Sequence, residues 1–311
     1  MAECWDVVVI GAGPAGLTAA QVAGTQGLSC LCIDRLGPGG ELINLGLLHD
    51  CPDLPPGTTG ADLVARLMDA ATAAGVELAF GEVRELQRGE PWRIVTEADS
   101  YQARTVIIAT GLAPGKLGIP EEERFEGLGL SHCANCDGPL YKGANVVVAG
   151  AGEWAAQDAI DLAGLAGHIT LICPHQEAAR LSGERGTRLA GLANVTVIPG
   201  RIIALEGLGG LDAVIVEHGA ARERRPAQAV FVHSNRRAAL DFAGGLLAVE
   251  ADGRAAVDDD LCMSDKQAYA AGDVRAGAPE RIASAIADGK RAGLTVARLV
   301  VGRDSGQQGG R

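Results

Sequence analysis

Residues 6–16 read Asp-Val-Val-Val-Ile-Gly-Ala-Gly-Pro-Ala-Gly (DVVVIGAGPAG). A short β-branched run that stops at a glycine turn marks a buried parallel strand, here Asp6–Ile10. Gly11, Gly13 and Gly16 then stand at G-x-G-x-x-G spacing, and Leu17–Gly24 continues as a helix. The glycines serve a tight turn, a close approach of backbone to a pyrophosphate, and close packing of helix on strand. The spacing alone is weak evidence. It gains weight from a second strand, Ser29–Ile33, that ends in Asp34. An acid about 20 residues beyond the loop is where a ribose hydroxyl is bound.

The plan returns further along. Asn145–Ala149 (NVVVA) is a strand, Gly150-Ala151-Gly152-Glu153-Trp154-Ala155 the loop, Ala156–Gly167 the helix and His168–Cys173 the next strand. The fold class is therefore α/β, with two dinucleotide-binding, Rossmann-like domains. Between the copies, Gly39–Leu42 and His49–Pro55 are glycine- and proline-rich and read as loops. Asp62–Ala74 is an amphipathic helix, and Val76–Ala79 with Arg93–Glu97 are strands of a small β-layer. Thr105–Ala109 is a buried strand ending at Ala109-Thr110-Gly111, and Pro114–Pro120 a linker. Beyond the second copy, Val195–Leu205, Ala213–Glu217 and Ala229–Val232 are β-structure, while the charged run Arg222–Arg225 reads as a solvated loop. Gln267–Ala271 leads into Gly272-Asp273-Val274, Glu280–Val300 is a helix, and the polar tail from Gly302 is irregular.

Just ahead of the second copy lies Ser131-His-Cys-Ala-Asn-Cys-Asp-Gly138. Cys133 and Cys136, two residues apart, can close a small disulfide ring on one helical turn and so shuttle two electrons. A helix start lowers a thiolate pKa through its orphan N–H groups and dipole. Asp137 places a proton-carrying carboxyl beside the sulfurs. The same spacing serves as half of a zinc site, but no second ligand pair exists, so redox is favoured and no metal is expected. His132 either tunes the thiolates or caps a turn. Cys30, Cys32 and Cys173 lie on strands and read as core thiols, whereas Cys51 falls in a loop.

Bulk properties exclude other classes. Hydrophobic content of 47% with 21% charged residues describes a soluble globular chain. A net charge of −12 argues against nucleic acid, whose phosphates need clustered Lys and Arg. The apolar run Val7–Gly24 follows a nucleotide-loop rhythm, so no membrane span is expected. Eight cysteines without paired spacing, and no signal-peptide pattern, point to a reducing cytoplasm.

Taken together, GAGPAG, GGEL at 39–42, ATG at 109–111, CANCDG at 133–138 and AAGDV at 270–274 resemble the low-molecular-weight thioredoxin reductase family over essentially the whole chain. The resemblance implies an FAD domain made of residues 1–115 and 244–311, with a second dinucleotide-type domain, 116–243, inserted between them. It implies that Gly11, Gly13, Gly16 and Asp34 hold the pyrophosphate and adenosine ribose of FAD. Gly40, Leu42, Gly111, Gly272 and Asp273 would line the same cofactor. Arg281, Ile282 and Ala283 would bring a helix start to the flavin's pyrimidine edge, with Ile282 where the family carries glutamine. Cys133 and Cys136 would be the redox pair, Asp137 the general acid/base, and the protein a homodimer.

The second nucleotide site departs from the family. Where the family reads a 2′-phosphate with His-Arg-Arg, this chain has Cys173-Pro174-His175-Gln176, which offers no guanidinium, nor an acid for a free ribose hydroxyl. Arg180, Arg185 and Arg188 lie downstream. Trp154 sits in the phosphate loop, either packed on the surface or stacked on a flat ring. Gly150, Gly152 and Ala155 preserve a pyrophosphate-sized loop. The leading expectation is an FAD-dependent disulfide oxidoreductase that is not NADPH-driven. Its donor would be of ferredoxin type or a second FAD in the degenerate site, and its partner a thioredoxin-like disulfide protein or a small dithiol. The alternatives are an NADPH–thioredoxin reductase, an oxygen-dependent dithiol oxidase, and a flavin-bound sensor without turnover.

Overall fold

The computed structural model describes residues 4–48, 51, 54–174, 183–265 and 267–308. The chain forms two compact units. One joins Met1–Ala113 to Arg237–Arg311, and the other is Pro114–Arg236.

The first unit begins with β1 (Cys4–Ile10), α1 (Pro14–Thr25), β2 (Cys30–Asp34), α2 (Gly60–Ala73) and β3 (Glu77–Phe80). β4 (Val83–Gln87), β5 (Trp92–Thr96) and β6 (Ser100–Ile108) follow. β1 pairs in parallel with β2 and with β6, and β2 with β3. Val7, Val8 and Val9 have no exposed surface, as a strand covered on both faces requires. The strands of the expected small β-layer are part of the main sheet. β3 extends the parallel sheet, and β4 and β5 join it as an antiparallel meander on the first half of β6. The length of β6 explains this, since nine residues can serve one neighbour with each half. The expected loop at Gly39–Leu42 is in part a 3-10 turn, Gly40–Asn44. Most of the His49–Pro55 segment lies outside the described residues.

The second unit holds β7 (Leu130–Ser131), α3 (Ala134–Asp137), β8 (Asn145–Ala149), α4 (Glu153–Ala163), β9 (His168–Cys173) and α5 (Gly183–Ala190). β10 (Val195–Pro199), β11 (Arg201–Glu206), β12 (Ala213–His218), β13 (Ala221–Pro226) and β14 (Ala229–Val232) complete it. Its parallel sheet runs β10-β9-β8-β14-β7, the order β3-β2-β1-β6 repeated with one added edge strand. Arg222–Arg225 is not a loop but part of β13, paired antiparallel with β12. Alternation of charges hid this strand, and cross-strand pairs stabilise it: Arg222 and Arg201 meet Glu217, and Arg224 meets Glu206 at 2.7 Å.

The chain returns to the first unit with β15 (Ala268–Ala270), parallel to the end of β6, and α6 (Ile282–Gln308). The residues after Gly302, expected to be irregular, continue this helix to Gln308. α1 and α6 touch backbone to backbone, for a Cβ on Gly289 would stand 2.2 Å from the Ala15 carbonyl and one on Gly293 2.7 Å from that of Ala19. Among the described residues no helix is long and apolar enough to cross a membrane.

Candidate active site

Cys133 and Cys136 form a disulfide with their Cα atoms 5.3 Å apart. Cys133 is the N-cap of α3, in extended conformation, and its Sγ accepts the Cys136 N–H at 3.1 Å. One backbone donor of this short turn thus points at the Cys133 sulfur. Cys136 is exposed and Cys133 half-buried. Asp137 is half-buried, and its Oδ2 accepts the hydroxyl of the buried Ser131 at 2.6 Å. Ser131 Oγ in turn accepts the Cys133 N–H at 3.2 Å. His132 faces Glu126 instead, Nε2 to Oε1 at 3.1 Å. Gly138 is needed for room, since a Cβ there would meet Leu162 of α4 at 2.9 Å. Tyr141 packs edge-on against Phe231, and partial burial, then the Asp137 charge, push its hydroxyl above the usual range.

At the carboxyl ends of β1, β2 and β6 the first glycine loop gathers several segments. Gly11 adopts φ +100°, its N–H donates to Ile33 O at 2.8 Å, and a Cβ there would lie 2.4 Å from Ala109 O. A Cβ on Gly16 would lie 1.8 Å from Gly11 O. Gly13 differs, with nothing within 4 Å of its Cβ direction and no side-chain cap on the helix it starts. The N–H groups of Ala15 and Gly16 lie in the first turn of α1, where a helix supplies no acceptor, so this open start suits a pyrophosphate. Gly39 N–H donates to Ala12 O at 2.8 Å, and Gly40 comes against Gly13. Gly272, at φ +81°, packs on Ala15, and its N–H donates to Asp288 Oδ2 at 3.2 Å. Gly111 O accepts the Ala239 N–H at 3.2 Å, tying the two segments of this unit together. Asp273 O accepts from Arg254 at 3.3 Å. The cradle of small residues therefore fits the pyrophosphate of FAD.

Asp34 is beside this loop, but its carboxylate is largely engaged. Oδ2 accepts the Ala12 N–H at 2.8 Å, and Oδ1 those of Leu36 and Gly37 at 3.0 Å each. Three donors leave about one of its four lone pairs for a ribose hydroxyl. Leu42 is buried with Leu63 and Val64, and Ile282 packs into the same cluster. That apolar setting is what accepts isoleucine where the family carries glutamine. Arg281 and Ala283 are exposed at the head of α6. The sequence did not point to the buried Asp288, held by Arg275 through Nε at 2.6 Å and Nη2 at 3.0 Å. Nor did it point to Leu36 and Phe80, exposed apolar side chains at the ends of β2 and β3, beside Asp34.

The second glycine loop has the same skeleton. Gly150, at φ +142°, donates to Ile172 O at 2.9 Å, and His233 N–H donates to Ala149 O at 2.7 Å, as Ala109 N–H does to Ile10 O at 2.8 Å. Its side chains differ. Trp154, half-buried, lies with the Arg236 guanidinium 5.8 Å from its ring centroid, and its Nε1 is buried without a hydrogen-bond partner. His233 Nε2 meets Asp158 Oδ2 at 2.7 Å, both side chains about nine-tenths buried. Trp154 thus has a guanidinium of its own chain over its ring, supplied by Arg236 and not by the end of β9 or by Arg180, Arg185 and Arg188 downstream. Arg236 follows β14 rather than β9, which is why reading the end of β9 missed it. Ala155 is fully buried, and Gly152 has open space at its Cβ direction. Pro174 ends β9, Arg188 is exposed on α5, and His175, Gln176, Arg180 and the Arg185 side chain lie outside the described residues.

Among the described residues no group of three or more His, Cys, Asp or Glu side chains could hold a metal ion. Burial pushes the Cys30 thiol up to about 12 and raises that of Cys32 as well, and Cys173 is buried too, so these are core thiols.

Comparison with known proteins accords with this geometry. The profile of the pyridine nucleotide-disulphide oxidoreductase family matches residues 5–289. A thioredoxin reductase of Listeria monocytogenes is 30% identical over 96% of this chain and 94% of its own length. The structure of Lactococcus lactis thioredoxin reductase in its FR conformation superposes with a TM-score of 0.90 at 26% identity, over 96% of this chain and 99% of that one. A ferredoxin-flavin thioredoxin reductase from Clostridium acetobutylicum matches with a TM-score of 0.54 at 26% identity, over 97% and 99% of the two chains.

Proposed function

The chain belongs to the pyridine nucleotide-disulphide oxidoreductase family as a flavin-dependent disulfide oxidoreductase of thioredoxin reductase type, and on that premise we propose that its electrons do not come from NADPH. The observation that carries this reading is the second glycine loop. An indole stands at the second residue of α4, with a guanidinium 5.8 Å from its ring centroid, where a nicotinamide dinucleotide would lie on the helix start. After β9 the sequence reads Pro174-His175-Gln176, a run that carries no arginine to fork onto a 2′-phosphate.

In this reading Gly11, Gly13, Gly16, Gly40 and Gly272 hold the pyrophosphate of FAD, Asp34 lends its remaining lone pair to the ribose, and the first turn of α6 faces the flavin. Bound there, FAD supplies two-electron exchange with a disulfide. Cys133 and Cys136 store the electron pair and pass it on by thiolate–disulfide exchange, and Asp137 carries the proton. The partner is a thioredoxin-like disulfide protein, supported by the names of the relatives. A one-electron donor of ferredoxin type is supported by the Clostridium neighbour. A reducing cytoplasm suits a dithiol reopened in each cycle, and we place the enzyme there as a homodimer.

Adding NADPH without oxygen tests the reading: the flavin should keep its colour over many turnovers' worth of time, whereas a reduced iron–sulfur donor should bleach it. Arg236 favours a second reading, an NADPH-dependent reductase, because its guanidinium is beside the loop. Rapid, saturable bleaching by NADPH would establish that reading instead. Flavin released on denaturation tells what the second loop holds. About two flavins per chain places FAD there, as the open direction at Gly152 would allow, and about one leaves the loop without it.

A further inference from the structure

Ser131 is buried at the end of β7, paired with Phe231 of β14, and takes no part in the expected chemistry. Its hydroxyl nonetheless links the two things that chemistry needs. Oγ accepts the Cys133 N–H at 3.2 Å and lies 2.6 Å from Asp137 Oδ2 and 3.5 Å from Cys133 O. A hydroxyl has one proton to give. In the carboxylate form of Asp137 that proton goes to Oδ2, 2.6 Å away. When Asp137 is protonated its own O–H can donate to Oγ, and the serine proton can turn to Cys133 O. Each protonation state of the acid thus has a matching rotamer of one buried hydroxyl.

Resting on the reading of Asp137 as general acid/base, we propose that Ser131 is its positioning residue, holding the carboxyl beside the dithiol in both protonation states. In the exchange, one thiolate of the pair attacks the partner's disulfide. A new S–S bond forms, the partner's bond breaks, and the departing sulfur takes the electron pair and the proton carried by Asp137. Asp137, now a carboxylate caught by Ser131, removes the proton from the remaining thiol. That sulfur attacks the mixed disulfide, recloses Cys133–Cys136 and releases the second partner thiolate. Other groups near the carboxyl leave it this role. Tyr141 has its hydroxyl pushed upward. His132 is bonded to Glu126. On the α4 side, Leu162 and Leu165 meet Gly138, while Asp158 and Asp161 are bonded to His233 and Gln157.

The test uses the flavin-loaded full chain, reduced with dithiothreitol, against two probes. Bis(hydroxyethyl) disulfide has a poor leaving thiolate that needs a proton, whereas 5,5′-dithiobis(2-nitrobenzoate) has a good one that does not. In Ser131→Ala the ratio of the first rate to the second should fall about tenfold, a part of what a general acid contributes. The pH profile of the first rate should change as well, because the carboxylate has lost a donor. Ser131→Thr should restore both. An unchanged ratio and profile in Ser131→Ala would overturn the proposal, as would an equal loss on both probes, which marks a purely structural role. Asp137→Asn separates the two ideas. If it too leaves the ratio unchanged, the acid assignment itself fails. If it lowers the ratio while Ser131→Ala does not, the failure belongs to Ser131 alone.

Discussion

The two glycine loops share a backbone and part company at the side chains. In the first, the face of α1 that bears Ala15 and Ala19 is covered at backbone distance by α6, and the residue after β6 is Ala109. In the second, the matching face of α4 bears Trp154 and Asp158, no helix follows β14 within the unit, and Arg236 and His233 lie on that face. Small residues line the first loop, and large paired ones line the second. A Rossmann skeleton is therefore no statement of occupancy; the side chains of one helix face make it.

The sharpest way to break the comparison is to remove the buried acid on each side. Asp288→Ala leaves Arg275 without its carboxylate and frees the Gly272 N–H, at an expected cost of about 3–5 kcal/mol and with loss of flavin. Asp158→Ala removes only a histidine partner and should cost about 1–3 kcal/mol, with flavin retained. Urea unfolding with a flavin count on each variant checks both. Equal flavin loss would mean that the second loop also supports the first. Next in size is Gly16→Ala, whose Cβ would press on Gly11 O and should cost about 3 kcal/mol and much of the flavin. The second loop carries alanine at the equivalent Ala155, and Ala155→Gly should cost only about 1 kcal/mol.

Both skeletons were legible in the chain because a β-branched run before glycine admits few local structures. Asp6–Ile10 and Asn145–Ala149 become β1 and β8 almost to the residue. The edges were not, since pairing decides them. Arg222–Arg225 has no apolar alternation and becomes a strand only against Glu217 and Glu206. The Cys133–Cys136 disulfide and the helix start at Gly13 could be read directly from motif spacing. Asp288 and Arg236 could not, because each meets a loop from another element that only the fold brings near; Ser131 stands within the motif, but its bond to Asp137 shows only in the fold.

A smaller effect separates β2 from β9. Cys30 of β2 and Ile169 of β9 face the same register position of their sheets, opposite Val7 and Val146. Burial pushes the Cys30 thiol up to about 12, while an unfolded thiol titrates near 8.5. The unfolded chain therefore loses the proton first. The stability tied to this thiol is intact below about pH 8.5 and is lost as pH rises toward the folded value, by about 2 kcal/mol at pH 10. Cys30→Val should reduce the stability loss between pH 7.5 and 10 by about that amount. An unaltered alkaline profile would mean that other groups unfold this unit.

The finest distinction concerns what fills the second crevice. If the indole and guanidinium truly cover one another, Trp154→Ala and Arg236→Ala should be coupled by about 0.5–1 kcal/mol in a double-mutant cycle, as a half-exposed cation–π pair allows. The flavin count should not change in either variant, because the first loop shares neither residue. Reduction by NADPH should stay slow in Trp154→Ala, since removing the ring opens space without creating a fork for the 2′-phosphate. A coupling near zero would show that the two side chains part in solution. Faster bleaching by NADPH in Trp154→Ala but not in Arg236→Ala would identify the indole as the barrier and the guanidinium as the anchor. Filling and recognition would then be properties of two neighbouring residues rather than of the loop.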